Sequence, residues 1–155
     1  MSRAKLDHFL WELDQCFDLK PEHSLISNLS SIPEELLDTL LTTGGRTLRD
    51  IIIHCGSVKR MHINHAFGDR KLSWELAWDG EGRSNKASFE SLILWLRQAH
   101  FEARDAVNDL ADDSEILVER HTYWGELKET RFIIHSLLIH DVYHAGEINH
   151  LRSFL

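Results

Sequence analysis

The chain is poor in cysteine: Cys16 and Cys55 are the only two in 155 residues. They form no Cys-X-X-Cys pair, and two thiols cannot staple a small scaffold, so a disulfide framework is excluded. Reduced thiols in a reducing compartment are expected. Long apolar runs are also missing, and no stretch approaches the ~20 residues a membrane-crossing helix needs. The opening Met1-Ser2-Arg3-Ala4-Lys5 leads into a segment with Asp7, Glu12 and Asp14, without the uninterrupted apolar core of a secretory signal. Positive charge is in deficit: 17 basic against 25 acidic residues leave a formal net charge of −8. An acidic surface disfavours phosphate backbones, so nucleic acid is not an expected partner, and neither is a membrane. No internal repeat or low-complexity tract is visible. Hydrophobic residues at 43% and charged residues at 27% are an ordinary globular balance. A soluble, cytoplasmic protein of one domain, residues 1–155, is the expectation.

Four long segments carry helical periodicity. In the first, Leu6, Phe9, Leu10, Leu13 and Phe17 share a stripe that Pro21 closes. In the second, Thr47 can cap a helix whose face carries Ile51, His54, Val58, Met61 and His65, ending at Gly68. The third stripe is Phe89, Leu92, Leu96, Ala99, Ala103, Ala106 and Leu110, whose alanines admit a close neighbour. In the fourth, Thr130 can cap a helix lined by Ile133, Leu137, His140, His144, Ile148 and Leu151. Residues 18–45, with Pro21, Pro33 and Gly44-Gly45, read as breaker-rich with a short helix at 34–41. The link of about 19 residues between the second and third helices suits a crossover and permits those two to run parallel. The fold class is therefore all-α, a four-helix bundle with a long crossover between helices 2 and 3.

What the chain has in excess is histidine, eleven of them, against a usual share of roughly 2%. With His140 at zero on a wheel of about 100° per residue, His144 falls near 40° and Leu137 near 60°. Both histidines thus sit inside the apolar stripe, one above the other. A lone inward histidine is usually a core residue with one hydrogen bond. Two at this spacing would repel if protonated, and if neutral would need partners for four nitrogens in apolar surroundings. One divalent cation at roughly 2.0–2.1 Å from each resolves both problems. A third ligand can come from His54 or His65, which lie about 16 Å apart along one helix and cannot share an ion; periodicity leaves the choice open. His62, His100 and His150 fall at stripe edges. His135 falls on the back face, and His8, His23 and His121 read as surface or loop residues. Glu147 sits one turn beyond His144, near −20°, where it can orient a ligand or act on a bound water. Asp141, at about 100°, is a poorer candidate. Gly146 suggests close backbone packing, as at a dimer contact. Cys55 points away from His54 and reads as a buried inert thiol.

The stretch His140-Asp141-Val142-Tyr143-His144-Ala145-Gly146-Glu147-Ile148-Asn149-His150-Leu151-Arg152 resembles the last-helix signature of the DinB/YfiT-like superfamily. Thr122-Tyr123-Trp124-Gly125-Glu126 resembles the Trp-Gly element before that helix. Thr47 to His54, followed by Ala66-Phe67-Gly68-Asp69, resembles the segment with the first metal histidine. The resemblance implies an up-down-down-up bundle and three metal ligands, His54, His140 and His144, so it selects His54 over His65. It implies zinc or nickel with open positions, frequent homodimers, and in some relatives thiol-dependent transfer. Relatives often carry Gln where this chain has Glu147.

Three imidazoles leave a coordination position open, as in catalytic zinc sites; structural sites usually have four protein ligands. Such an ion lowers the pKa of a bound water to about 7 or holds a thiol as thiolate. The leading expectation is a metal-dependent enzyme of transferase or hydrolase type that turns a metal-bound thiolate or hydroxide on a small-molecule substrate, with a low-molecular-weight thiol as cosubstrate in the transferase case and Glu147 or His150 handling protons. Trp74 and Trp78 either wall the pocket or pack beneath a long loop. The alternatives are a non-enzymatic, metal-binding stress-response bundle acting through dimerisation or a partner, and a bundle whose inward histidines hold no metal.

Overall fold

The computed structural model describes residues 2–30, 32–40, 45–78 and 87–153. Gly44, Gly80, Gly82 and the end of the short helix expected at 34–41 lie outside the described residues. Helices dominate: α1 (Ala4–Asp14), α2 (Leu25–Leu29), α3 (Leu48–Phe67), α4 (Trp74–Ala77), α5 (Phe89–Asn108) and α6 (Thr130–Arg152). A π-helical turn, Gln15–Leu19, extends α1, and 3₁₀ turns occupy Glu34–Leu36 and Glu115–Leu117. An antiparallel pair, β1 (Glu119–His121) and β2 (Leu127–Glu129), sets Glu119 opposite Glu129 and His121 opposite Leu127. Strands of three residues are too short to show the alternation by which a strand is read from sequence.

The helix starts follow local chemistry. Thr47 and Asp50 form a reciprocal capping box on α3: the Thr47 hydroxyl accepts from the Asp50 amide at 3.1 Å, and the Asp50 carboxylate accepts from the Thr47 amide at 3.0 Å. Two otherwise orphaned amides are thereby satisfied. Ser88 caps α5 through the Ser91 amide. Thr130 does not cap α6 as expected. It is the first helical residue, fully buried, and its hydroxyl donates to the Val118 carbonyl and accepts from Arg120 Nε, both at 2.9 Å. It thus clasps the hairpin to the helix.

The expected stripes meet in two apolar clusters. One joins Ile51, Ile52 and Leu48 of α3 to Leu92 and Leu96 of α5, to Ile148 and Leu151 of α6, and to Leu25 and Leu29 of α2. The other joins Leu6, Leu10 and Leu13 of α1 to Ala103 and Val107 of α5 and to Ile134, Leu137 and Leu138 of α6. Each fully buried Leu or Ile contributes about 1.5–3 kcal/mol. Between the clusters, at the midpoints of α3, α5 and α6, the buried side chains turn polar: Lys59, His100, Asp141 and His144. Close approach of α3 to α5 rests on Gly56, where a Cβ would lie 2.1 Å from the Trp95 ring. Gly146, by contrast, is exposed, and an added Cβ there would meet no atom within 4 Å among the described residues. Close packing at Gly146 is therefore not made among the described residues of one chain.

Candidate metal centre

α3 and α6 pack side by side, and this brings the imidazoles of His54, His140 and His144 together. Their candidate ligand atoms all lie within 4.8 Å of one another. His140 Nε2 is 3.1 Å from His54 Nε2 and 3.2 Å from His144 Nε2. The carboxylate of Glu147 lies 2.6 Å from His144 Nδ1. An ionised carboxylate only accepts, so Nδ1 carries the proton and Nε2 keeps its lone pair facing the other rings. Arg46 Nη2 donates to both Glu147 oxygens, at 3.3 and 3.1 Å. The result is a chain from guanidinium to carboxylate to imidazole, the arrangement that fixes the ring orientation of a metal-ligating histidine.

Electrostatics favour neutral rings. Burial, then the neighbouring His144 and Arg46, lowers the pKa of His54 to about 4. Burial, then His144 and His54, lowers that of His140 to about 2. Burial lowers that of His144 as well, against the pull of Glu147. Three neutral imidazoles with converging lone pairs repel one another, and a cation at the centre answers all three at once. Ligand atoms at roughly 2.0–2.1 Å from a tetrahedral ion stand about 3.3–3.4 Å apart, close to the two spacings found here. The donor set therefore fits a divalent ion. Nitrogen donors suit zinc and nickel alike.

The remaining histidines divide. His65 Nε2 lies 3.1 Å from the Leu72 carbonyl, engaged away from the group of three. His8, His23, His121, His135 and His150 are exposed. His62 and His100, expected at stripe edges, are instead buried, at 3% and 2% exposure. His62 meets Tyr123 and Trp124 edge-on, and His100 stacks on Phe17 with ring centroids 3.8 Å apart. The two tryptophans of the crossover also divide. Trp74 stacks on His54 at 5.7 Å and 8°, so it walls the centre, whereas Trp78 packs against Trp95 in the core. Cys55 is fully buried, which pushes its thiol well above the usual range and leaves it inert.

Asp141 is the residue that the wheel undervalued. It is fully buried, and it accepts from Lys59 Nζ at 2.5 Å. A signal for it exists in the sequence. Leu48, Ile52, Cys55, Lys59 and His62 form a second stripe on α3, and Ile134, Leu138, Asp141, Ala145 and Ile148 form one on α6; all ten are buried. Each helix therefore faces more than one neighbour, and a single-stripe reading mistakes half of its buried face for surface.

A groove of about 490 Å³ opens beside His140, walled by Val58, His62, Tyr123, Trp124, Ile139 and Tyr143. A larger cavity, about 950 Å³, lies between α3 and α5 near Arg60, Phe67, Glu102 and Arg120, and includes none of the three ligating candidates. Converging lone pairs, rather than size, single out the candidate centre.

A predominantly helical protein with three imidazoles meeting between two helices belongs to the class of candidate metal-binding helical proteins. More specifically, the sequence profile of the DinB superfamily matches residues 22–148, and the chain belongs to that superfamily. No curated protein matches it.

Proposed function

We propose that His54, His140 and His144 hold one divalent ion, zinc or nickel, and that the protein is a metal-dependent enzyme acting on a small molecule. The convergence of three Nε2 atoms carries this reading. The ion supplies Lewis acidity and an open position for a water or a low-molecular-weight thiol. The protein's own groups do the rest. Glu147, held by Arg46, keeps the His144 proton on Nδ1 and so presents Nε2. Trp74, stacked on His54, shields that ring from solvent. The groove beside His140 gives the substrate its approach. Because both Glu147 oxygens are already engaged, orientation of His144 is its first role. His150 is exposed and outside the group of three, and we give it no step.

We further propose that α1, α3, α5 and α6 form one domain with up-down-down-up order. Arg49 reaches the Ala87 carbonyl and Arg60 reaches Glu102, which supports parallel α3 and α5. Arg104 reaching Asp14 and Arg97 reaching Asp18 support an antiparallel α1 and α5. No helix is long and apolar enough to cross a membrane among the described residues.

Elemental analysis of untagged protein is the test. About one ion per chain, with a thiolate-to-metal band on adding a small thiol to the cobalt-loaded form, is expected. Protein that takes up no ion under chelator-free conditions overturns the reading. A second reading, metal binding without turnover in a homodimer, draws on the exposed apolar row Phe132, Ile139, Val142 and Tyr143 on α6. Tight metal uptake by a dimer, with no turnover on any thiol–electrophile pair, would favour it.

A further inference from the structure

Lys59 and Asp141 are 1% and 0% exposed, and their Nζ–Oδ2 distance is 2.5 Å. The pair lies in the polar layer between the two apolar clusters, across the same α3–α6 contact that assembles the three imidazoles. Lys59 follows His54 by five residues, and Asp141 follows His140 directly. Its surroundings are otherwise poor in partners. Lys59 lies over the Phe17 ring at 5.3 Å, and Asp141 Oδ1 is buried with no hydrogen bond among the described residues.

A buried pair of this kind is a weak source of stability, because desolvation of two charges offsets their attraction. Its best-attested use is to specify register. Register needs specifying here. The faces of α6 repeat Ile133-Ile134 and Leu137-Leu138 at successive turns, so apolar packing alone distinguishes poorly between α6 and a copy slid by one turn. A slide would leave the Lys59 ammonium buried without its partner, a costly state. Rotation is fixed as well. Asp141 and His140 are about 100° apart on α6, and Lys59 and His54 about 140° apart on α3. Both contacts survive together only at one rotation of each helix.

We infer that Lys59 and Asp141 are positioning residues, a buried ion pair that locks α3 against α6 in the one register at which His54 meets His140 and His144. The inference rests on the metal-centre reading above.

The test compares zinc affinity, by chelator competition, with the thermal midpoint of the metal-free protein. The double variant Lys59→Met/Asp141→Leu is expected to keep its helical circular dichroism yet bind zinc at least about tenfold more weakly. X-ray absorption at the zinc edge should then show fewer imidazoles per ion. Leu137→Ala, which lowers the midpoint without touching the pair, should change zinc affinity by less than about twofold. Wild-type affinity in the double variant overturns the inference, as does an equal zinc loss in Leu137→Ala at matched midpoint. If the double variant does not fold, Asp141→Asn replaces it, and wild-type affinity in folded Asp141→Asn overturns the inference equally. Wild-type protein that binds neither zinc nor nickel overturns both readings, whereas zinc binding indifferent to the pair overturns only this one.

Discussion

Two sets of histidines sit in the same helical interior, His54, His140 and His144 half-buried or buried and His62 and His100 buried, and by environment they look alike. His54 and His62 both have pKa values lowered to about 4, and His140 and His100 to about 2, in every case chiefly by burial. Ring nitrogens with no hydrogen-bond partner among the described residues also occur in both sets, at His140 Nδ1 in one and at His62 Nδ1 and His100 Nδ1 in the other. What separates them is direction. In the first set three Nε2 atoms point at one place, and a carboxylate fixes the outer nitrogen of His144. In the second set each ring lies against aromatic rings, Tyr123 and Trp124 at right angles for His62 and Phe17 face to face for His100. Burial and a depressed pKa therefore mark an apolar neighbourhood, and only converging lone pairs mark a candidate metal centre.

That contrast can be broken at several points. The largest effect is expected from His144→Ala, which removes one of three ligands and should weaken metal binding by at least about a hundredfold. His62→Phe and His100→Phe should leave it within about twofold. Chelator competition measures both, and loss of the ion in His62→Phe would erase the distinction between the sets. Next comes Glu147→Ala, which frees the outer nitrogen of His144. A loss of affinity of about 10–100-fold is expected, and undiminished binding would show that the carboxylate orients nothing.

Acid acts on what the sets share. A depressed histidine pKa means that the folded chain takes up a proton less readily than the unfolded one. From the ordinary value of 6.5 down to about 4 for His54 and His62, and lower for His100 and His140, the unfolded chain binds the extra protons. Stability of the metal-free protein should therefore be fully present above pH ~6.5 and decline as pH falls below it. The thermal midpoint followed from pH 7.5 to 5 reads this, and a flat profile would contradict the desolvation of these rings. Zinc should steepen the decline, because protons then compete with the ion for the first set. The smallest effect belongs to the second set alone. His100→Phe replaces an unpartnered buried nitrogen by carbon while keeping a ring against Phe17, at the loss of the 3.4 Å contact with Asp14. A change of less than about 1 kcal/mol in urea unfolding is expected. A loss above about 3 kcal/mol would show that the imidazole makes a polar contact the core depends on.

Much of the fold was legible. The stripes through Leu6, Ile51, Leu92 and Ile133 identify four long helices because burying one face at a 3.6-residue period leaves a one-dimensional trace. The pairing of His140 with His144 was legible for the same reason, since a four-residue spacing on a helix fixes proximity without any tertiary information. His54 was not separable from His65 on periodicity, and a family resemblance made the choice. The structure shows why it had to come from elsewhere: His65 is engaged by the Leu72 carbonyl at the far end of the same stripe, a contact made by a chain reversal that no period encodes. α2, inside the breaker-rich stretch, also escaped, because five residues are too few to show a period.

By itself, then, the sequence determined the helices, their apolar faces and the local pairing of two imidazoles, all properties of a chain segment and its immediate neighbours. Only the tertiary structure decided which residues meet across helices: His54 with His140, Arg46 with Glu147, and the buried Lys59 with Asp141. The physical reason is that a segment's period records how much of it is buried and along which stripe. The partner across the interface depends on the rotation and register of two helices against each other, which are set jointly by the whole interior.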